Sequence, residues 1–288
     1  LIQVLWVSEI LLLGLNLFSP LSEGLRDLSL GKLTLPVLES YNFITMYQER
    51  TYRNYVRTDD LVKFEVIVKE TDLLIRAEKD LSLQAREAVL KYRSQIEAYI
   101  EKKPWFETAL SPLPIDPYAP KIVQEMCWAS QMAQVGPMAS VAGAIAEWVT
   151  KDLLPFSKEL IIENGGDIYL VSSRGRTIGI YAGASPLSLK IGIFIPPDEN
   201  PLGICTSSGT VGHSLSFGRA DAVCILSKSA ILADAVATAI GNWVQGKKDI
   251  ESALERGSKL EGVLGILIIV KEKMGVWGKV NLVPLNRP

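Results

Sequence analysis

An α+β domain, with a mixed or largely antiparallel sheet and several covering helices, is what three features of the chain predict. Short runs rich in Val, Ile and Thr alternate apolar and polar residues, as half-buried strands do. Some of these runs follow one another across tight-turn dipeptides, Asn164-Gly165 above all, whereas a parallel sheet would need a long crossover between neighbouring strands. Segments with apolar residues three and four positions apart read as helices, and they are grouped in blocks rather than interleaved with every strand. At 288 residues and 48% hydrophobic, the chain is long enough to bury a substantial core.

Residues 1–45 open with LIQVLWVSEILLLGLNLF, apolar enough for a signal or membrane segment but interrupted by Glu9 and preceded by no Lys or Arg. The first methionine is Met46. This stretch is therefore expected to be a non-native or disordered extension, with the working domain over residues 46–288.

From Leu61 to Glu78, two β-prone runs lie on either side of Glu70-Thr71, a hairpin with one packed face. Asp80 then caps a helix that keeps its period through Leu81, Ala85, Ala88, Val89, Tyr92, Ile96, Tyr99 and Ile100, ending at Lys102 before Pro104. Hairpin and helix make an N-terminal β-α piece over 46–103. The run 104–120, with Pro112, Pro114 and Pro117, is expected to be an extended, non-helical strap into a main lobe over 121–288. Pro120 suits the first turn of a helix to about Gln134, and Pro137 opens a second one to about Leu154. Small residues from Ala139 to Ala146 allow that second helix to pack tightly on a sheet or to meet a ligand closely.

Short strands follow at Glu159–Glu163, Asp167–Ser172, Thr177–Tyr181 and Leu187–Ile195, with NGGD and SRGR between the first pairs. Asn164-Gly165 is a hairpin signal in its own right, so NGGD needs no ligand to explain it. After a hydroxyl-rich loop at Thr206–Gly212, Ala220–Leu226 reads as a strand and Ser229 as the N-cap of a helix to Trp243. Lys248–Leu260 is a charged surface helix, and Val263–Val270 and Val276–Val283 are final strands, the first apolar enough to be central.

The stretch Gly203–Trp243 concentrates the chemistry. Backbone N–H groups of Thr206–Gly212 are free for a ligand or for solvent. Asp234 and Thr238 are four residues apart, so their oxygens share one helix face and can ligate Mg²⁺. Equally, an Asp near a helix start favours the dipole, and a Thr can bond a carbonyl one turn back. Cys205 is a candidate nucleophile or persulfide carrier, or a small apolar residue at a strand end. His213, the only histidine, is a general base or a hydrogen-bonded loop residue. Cys127 and Cys224 read as structural.

Ala233-Asp234-Ala235-Val236-Ala237-Thr238-Ala239 resembles the Ala-Asp-Ala-x-Ala-Thr-Ala segment of the ApbE family, the FAD:protein FMN transferases. Asn164-Gly165-Gly166-Asp167-Ile168 resembles that family's Gly-Gly-Asp/Asn-Ile turn, and Thr206-Ser207-Ser208-Gly209 its Thr-Ser-Gly loop, in the same order. The likeness covers roughly Val135 to Val244. It implies the ApbE-like fold, FAD bound along Ser140, Gly143, Gly165, Gly166, Asp167, Thr206, Ser207, Ser208 and Gly209, and Mg²⁺ on Asp234 and Thr238 beside the pyrophosphate. The reaction it implies is Mg²⁺-dependent FMN transfer from FAD to a protein acceptor. Two family features are replaced: the His-Ile-x-Asp-Pro-x-Thr-Gly segment by GHSLSFGRAD, and a Lys-Gly ahead of the Gly-Gly turn by Ala139–Ala144. The wording VGPMASVAGAIAE, ENGGDIYL and GICTSSGTVGHSLSFGRADAV is closer to a group of uncharacterised ApbE-like proteins, some linked to sulfur assimilation into homocysteine. A sulfur-handling role for Cys205 on the same scaffold is thus the alternative, and flavin binding without chemistry a third.

Formal net charge −2 and a pI near 5.7 give no argument for nucleic acid or for a membrane surface. Three scattered cysteines make neither a disulfide framework nor a zinc site, which suits the cytoplasm. With no GxGxxG and no P-loop, the expected partner is a nucleotide held by other means, with a protein acceptor by resemblance. Assembly into a homo-oligomer is left open.

Overall fold

The structure is a computed structural model that describes residues 53, 60–210 and 217–285; His213 and the 1–45 segment lie outside the described residues. Strands β1 (Val62–Val68) and β2 (Thr71–Ala77) form the expected hairpin, with the turn at Lys69-Glu70, one residue earlier than the pattern suggests. β1 alternates exposed and buried residues, but β2, which pairs on its far edge with β3 (Leu160–Asn164), is buried on both faces: Leu73, Ile75 and Ala77 join the helix-side core, and Asp72 and Arg76 on the other face bond Arg53. The N-terminal hairpin and the later strands therefore share one sheet.

Helix α1 (Ser82–Lys102) buries Ala85, Ala88, Val89, Tyr92 and Ile96, the stripe its periodicity marks. The N-cap is Leu81 rather than the expected Asp80, which stands one position before it and accepts the Ser82 N–H at 2.8 Å. The Pro-rich strap is not wholly extended as expected: Trp105–Thr108 forms a single helical turn, α2, with Pro104 at its N-cap, where a missing N–H costs nothing. Helix α3 (Lys121–Ala133) starts after Pro120 and stops at Gln134, which is left-handed. The small-residue helix is also shorter than expected. A 3₁₀ turn at Pro137–Ser140 precedes α4 (Val141–Leu153).

Strands β4 (Asp167–Val171), β7 (Leu202–Ser207), β8 (Ala222–Ser227), β9 (Val263–Val270) and β10 (Lys273–Gly278) complete a sheet of order β1-β2-β3-β4-β7-β8-β9-β10, every neighbour antiparallel. A second sheet holds β5 (Arg176–Gly179), β6 (Ile191–Ile195) and β11 (Leu282–Pro284) in the order β11-β6-β5. SRGR carries the chain from the large sheet to the small one. Two expectations change here. Leu187–Lys190 is a turn, with Leu189 left-handed (φ 55°), so the strand expected from Leu187 begins only at Ile191. The last expected strand is divided at Gly278 (φ 75°) between the two sheets.

Side chains alternate across the large sheet. Leu160, Ile162, Cys205, Val223, Ile225, Ile266 and Ile268 face the core under α1, α3, α4 and α5 (Ala230–Trp243). Ile161, Leu170, Ile204, Cys224, Leu267 and Ile269 face the small sheet through Ile178, Ile193 and Ile195. The charged helix α6 (Ile250–Ser258) packs on β9 and β10. Among the described residues no helix is long and apolar enough to cross a membrane.

Candidate functional site

Three elements meet at backbone distance because glycine stands where any side chain would collide. A Cβ on Gly203 of β7 would lie 2.5 Å from the Ala230 nitrogen, and one on Gly143 of α4 would lie 2.3 Å from the Ala230 oxygen and 2.9 Å from Asp234 Cβ. The start of α5 is fixed as expected. Ser229 Oγ accepts the Leu232 N–H at 3.3 Å and donates to the buried Glu147 carboxylate at 2.9 Å, which also accepts the Ile231 N–H and pairs with Lys151.

One turn into α5, Asp234 is buried and its Oδ2 accepts the Gly143 N–H at 2.9 Å, so the first turn of α4 points a donor at the carboxylate. Thr238, a turn further on the same face, is half-buried. That face then approaches β7: a Cβ on Gly241 would sit 3.4 Å from Ser207 Oγ.

The NGGD turn closes the near side. Gly165 (φ 66°) and Gly166 (φ 108°) are the two central residues of a tight hairpin turn between Asn164 and Asp167, as the sequence predicts. Asn164 Nδ2 donates to the Ala142 oxygen at 3.1 Å, tying the turn to α4. Beneath it, Glu163 Oε1 accepts the Gly166 N–H at 2.8 Å, while Glu163 Oε2 lies 2.7 Å from Arg53, itself 3.0 Å from Asp72. A buried ionic chain therefore holds the turn from below.

Asp167 is the register partner of Cys205 on the neighbouring strand, and both point to the helix side. It accepts the Thr206 N–H and lies within reach of the Cys205 thiol; burial first, then repulsion from Asp234, pushes its pKa well up. Burial likewise pushes Asp234 up, to about 7, against the lowering effect of the Gly143 and Ala142 N–H groups. Neither carboxylate forms an ion pair with Lys or Arg among the described residues.

The family model described as AbpE bacteria matches residues 53–277. The chain belongs to this family. A UPF0280 protein of Methanocaldococcus jannaschii is 44% identical over 224 residues, covering 76% of this chain and 91% of that protein. A UPF0280 protein of Methanococcus aeolicus is 41% identical over 226 residues, covering 76% and 91%. The solved flavin transferase ApbE from Vibrio cholerae has the same fold, with a TM-score of 0.53 at 13% identity over 78% of this chain and 97% of that one. The ApbE-like fold and the α+β class are thus as the sequence implied.

In this AbpE-family chain the sequence-marked residues divide into three groups. Gly143, Gly165, Gly166, Asp167, Cys205, Asp234 and Thr238 converge on the junction of α4, α5, β4 and β7. Thr206 and Ser207 are the end of β7 rather than loop residues, with Ser208 and Gly209 just beyond, and Gly209 bonds back to the Ala220 oxygen at 2.9 Å. Ser140 stands apart: it is buried, with its hydroxyl spent on the Pro137 oxygen at 2.8 Å.

The Cys205 thiol is fully buried, 3.4 Å from the Ala230 oxygen as well as near Asp167. Burial and then the two neighbouring carboxylates push its pKa well above the ordinary thiol value, so the site holds a thiol, not a thiolate. Cys127 and Cys224 are buried too, pushed by burial to about 11 and about 12. Asn164 is marked in the sequence only for its turn, and Glu147 and Glu163 hold the site together yet carry no motif. Their one signal is a polar residue placed where the pattern calls for an apolar one.

A hard divalent cation suits the donors present. Among the described residues the two buried carboxylates lack a counter-charge, and Thr238 adds a neutral oxygen on the helix face that carries Asp234. Among the described residues no group of three or more His, Cys, Asp or Glu could hold a metal, which excludes a zinc-type cage there and leaves positions to water or phosphate. Clefts of about 390 and 410 Å³ open elsewhere, beside Trp243 and Arg256 and beside Trp128 and Glu147, and neither is lined by Asp167, Cys205, Asp234 or Thr238.

Proposed function

We propose that this chain binds FAD across the Gly165-Gly166 turn, the start of α4 and the end of β7, with Mg²⁺ at Asp234 and Thr238, and transfers FMN from FAD to an acceptor. The observation that carries this reading is the buried Asp234 carboxylate, which accepts the Gly143 N–H and, among the described residues, has no cationic partner. Family membership and the fold shared with the flavin transferase of Vibrio cholerae support it. In the transfer, an acceptor nucleophile bonds to the phosphorus of the FMN half, the pyrophosphate P–O bond breaks, and AMP leaves with that bonding pair. The ion, when bound, neutralises charge gathering on the departing phosphate. The chain's own residues do the placing: the Gly-Gly turn lets phosphate approach backbone N–H groups, and Gly143 fixes the orientation of Asp234.

Titration with FAD, followed by flavin fluorescence, is expected to show binding strengthened by Mg²⁺. Asp234→Asn and Thr238→Val should each weaken the Mg²⁺-dependent affinity about tenfold, or ~1.4 kcal/mol. A parent chain with no Mg²⁺-dependent FAD binding, and with AMP release no higher than a boiled control, would reject the proposal.

A further inference from the structure

Family likeness puts Asp167 on the nucleotide, and its place in the fold puts it on the helix-covered face of the large sheet. The β4–β7 register pairs it with Cys205, whose side chain belongs to the helix-side core, so the carboxylate leaves the sheet toward α5. Cys205 Sγ in turn reaches Ala230, one turn before Asp234 on the same face of α5. Asp167 is 8% exposed and Asp234 9%, and Asn164, three residues before Asp167, bonds the Ala142 oxygen beside the Gly143 N–H that Asp234 accepts. Two carboxyl groups so deeply buried are costly to ionise unless a cation joins them.

We propose that Asp167 is the second carboxylate of the divalent-cation site, gripping the ion from the sheet while Asp234 and Thr238 grip it from α5. This rests on the reading above that a cation binds at Asp234. Water and pyrophosphate oxygens complete the shell of an ion that prefers six hard oxygens. Held this way, the ion ties the sheet layer to the helix layer.

Mn²⁺ serves as the probe, its free concentration followed by electron paramagnetic resonance during titration of the full chain, with and without FAD. The parent, Asp167→Asn, Asp234→Asn and, as a distant exposed carboxylate, Asp198→Asn are compared. Asp198→Asn is expected to match the parent. Asp167→Asn is expected to weaken Mn²⁺ binding about tenfold or more, since even residues behind a ligand are worth that much. Its metal-free melting temperature should stay close to the parent's, because the amide keeps the carboxyl's size and still accepts the Thr206 N–H, and the rise that Mn²⁺ gives the parent should vanish. A structural role alone predicts the reverse: a lower metal-free melting temperature with Mn²⁺ affinity unchanged within about twofold, which would overturn the proposal. Loss of Mn²⁺ binding in Asp234→Asn but not in Asp167→Asn overturns the role of Asp167 and leaves the site reading standing. A parent that binds no Mn²⁺ even with FAD overturns both.

Discussion

Gly143 is the residue on which the site's geometry turns. A methyl there would meet the Ala230 oxygen at 2.3 Å, so Gly143→Ala must push α4 from α5 and lengthen the N–H bond to Asp234. Chemical denaturation should show a loss of about 1–3 kcal/mol, the usual cost of overpacking, together with weaker FAD binding. Cys205 gives a second expectation at this scale. Iodoacetamide should leave it unmodified in the folded chain and label it once denaturant is added, whereas a mass gain of one sulfur on the folded chain after incubation with polysulfide, which gives up sulfane sulfur and leaves one sulfur shorter, would support the sulfur-handling reading. Asp234 and Thr238 are legible in the sequence because helical spacing alone puts them on one face. The bond from Asn164 to Ala142 and the Gly143 contact are not, since each joins residues whose adjacency depends on how separate elements dock.

Helix α5 shows how an element can be read locally and still be finished from outside. Ser229 is visible as an N-cap, and Ser229→Ala should cost about 1 kcal/mol. Glu147 reaches the same helix start from α4 and is itself paired with Lys151. Glu147→Ala should therefore cost more than Ser229→Ala, and the double variant less than the sum, because the two side chains bond each other. Equilibrium urea unfolding of the three variants checks the order and the coupling. Strand ends were harder to foresee. Leu189 and Gly278 adopt positive φ inside runs that look continuous, and nothing in their neighbours' polarity marks the break.

At the scale of the whole molecule, the small sheet covers one face of the large one, so central strands such as β8 and β9 are apolar on both sides and lose the alternation that marks a half-exposed strand. The class was legible from turn signals; the switch of β5 and β6 to a second sheet was not, because pairing partners lie far along the chain. That junction is stapled by Glu159, buried and bonded to Ser172, Ser173 and Arg176. Burial acts to raise its pKa, but these hydrogen bonds outweigh it and hold the carboxyl at about 2, below the ordinary 4.5. A folded pKa below the unfolded one gives stability that is fully present above about 4.5 and lost as pH falls toward about 2. Glu159→Gln should lower stability at neutral pH by on the order of 2–3 kcal/mol and flatten the acid limb of the stability curve.

The ionic chain of Asp72, Arg53 and Glu163 under the Gly165-Gly166 turn has its own consequence. Its bonds exist before any visitor arrives, so the loop's freedom is surrendered once, during folding, rather than at each docking event. A nucleotide would then find a finished mould, and its residence time would depend on the fit alone.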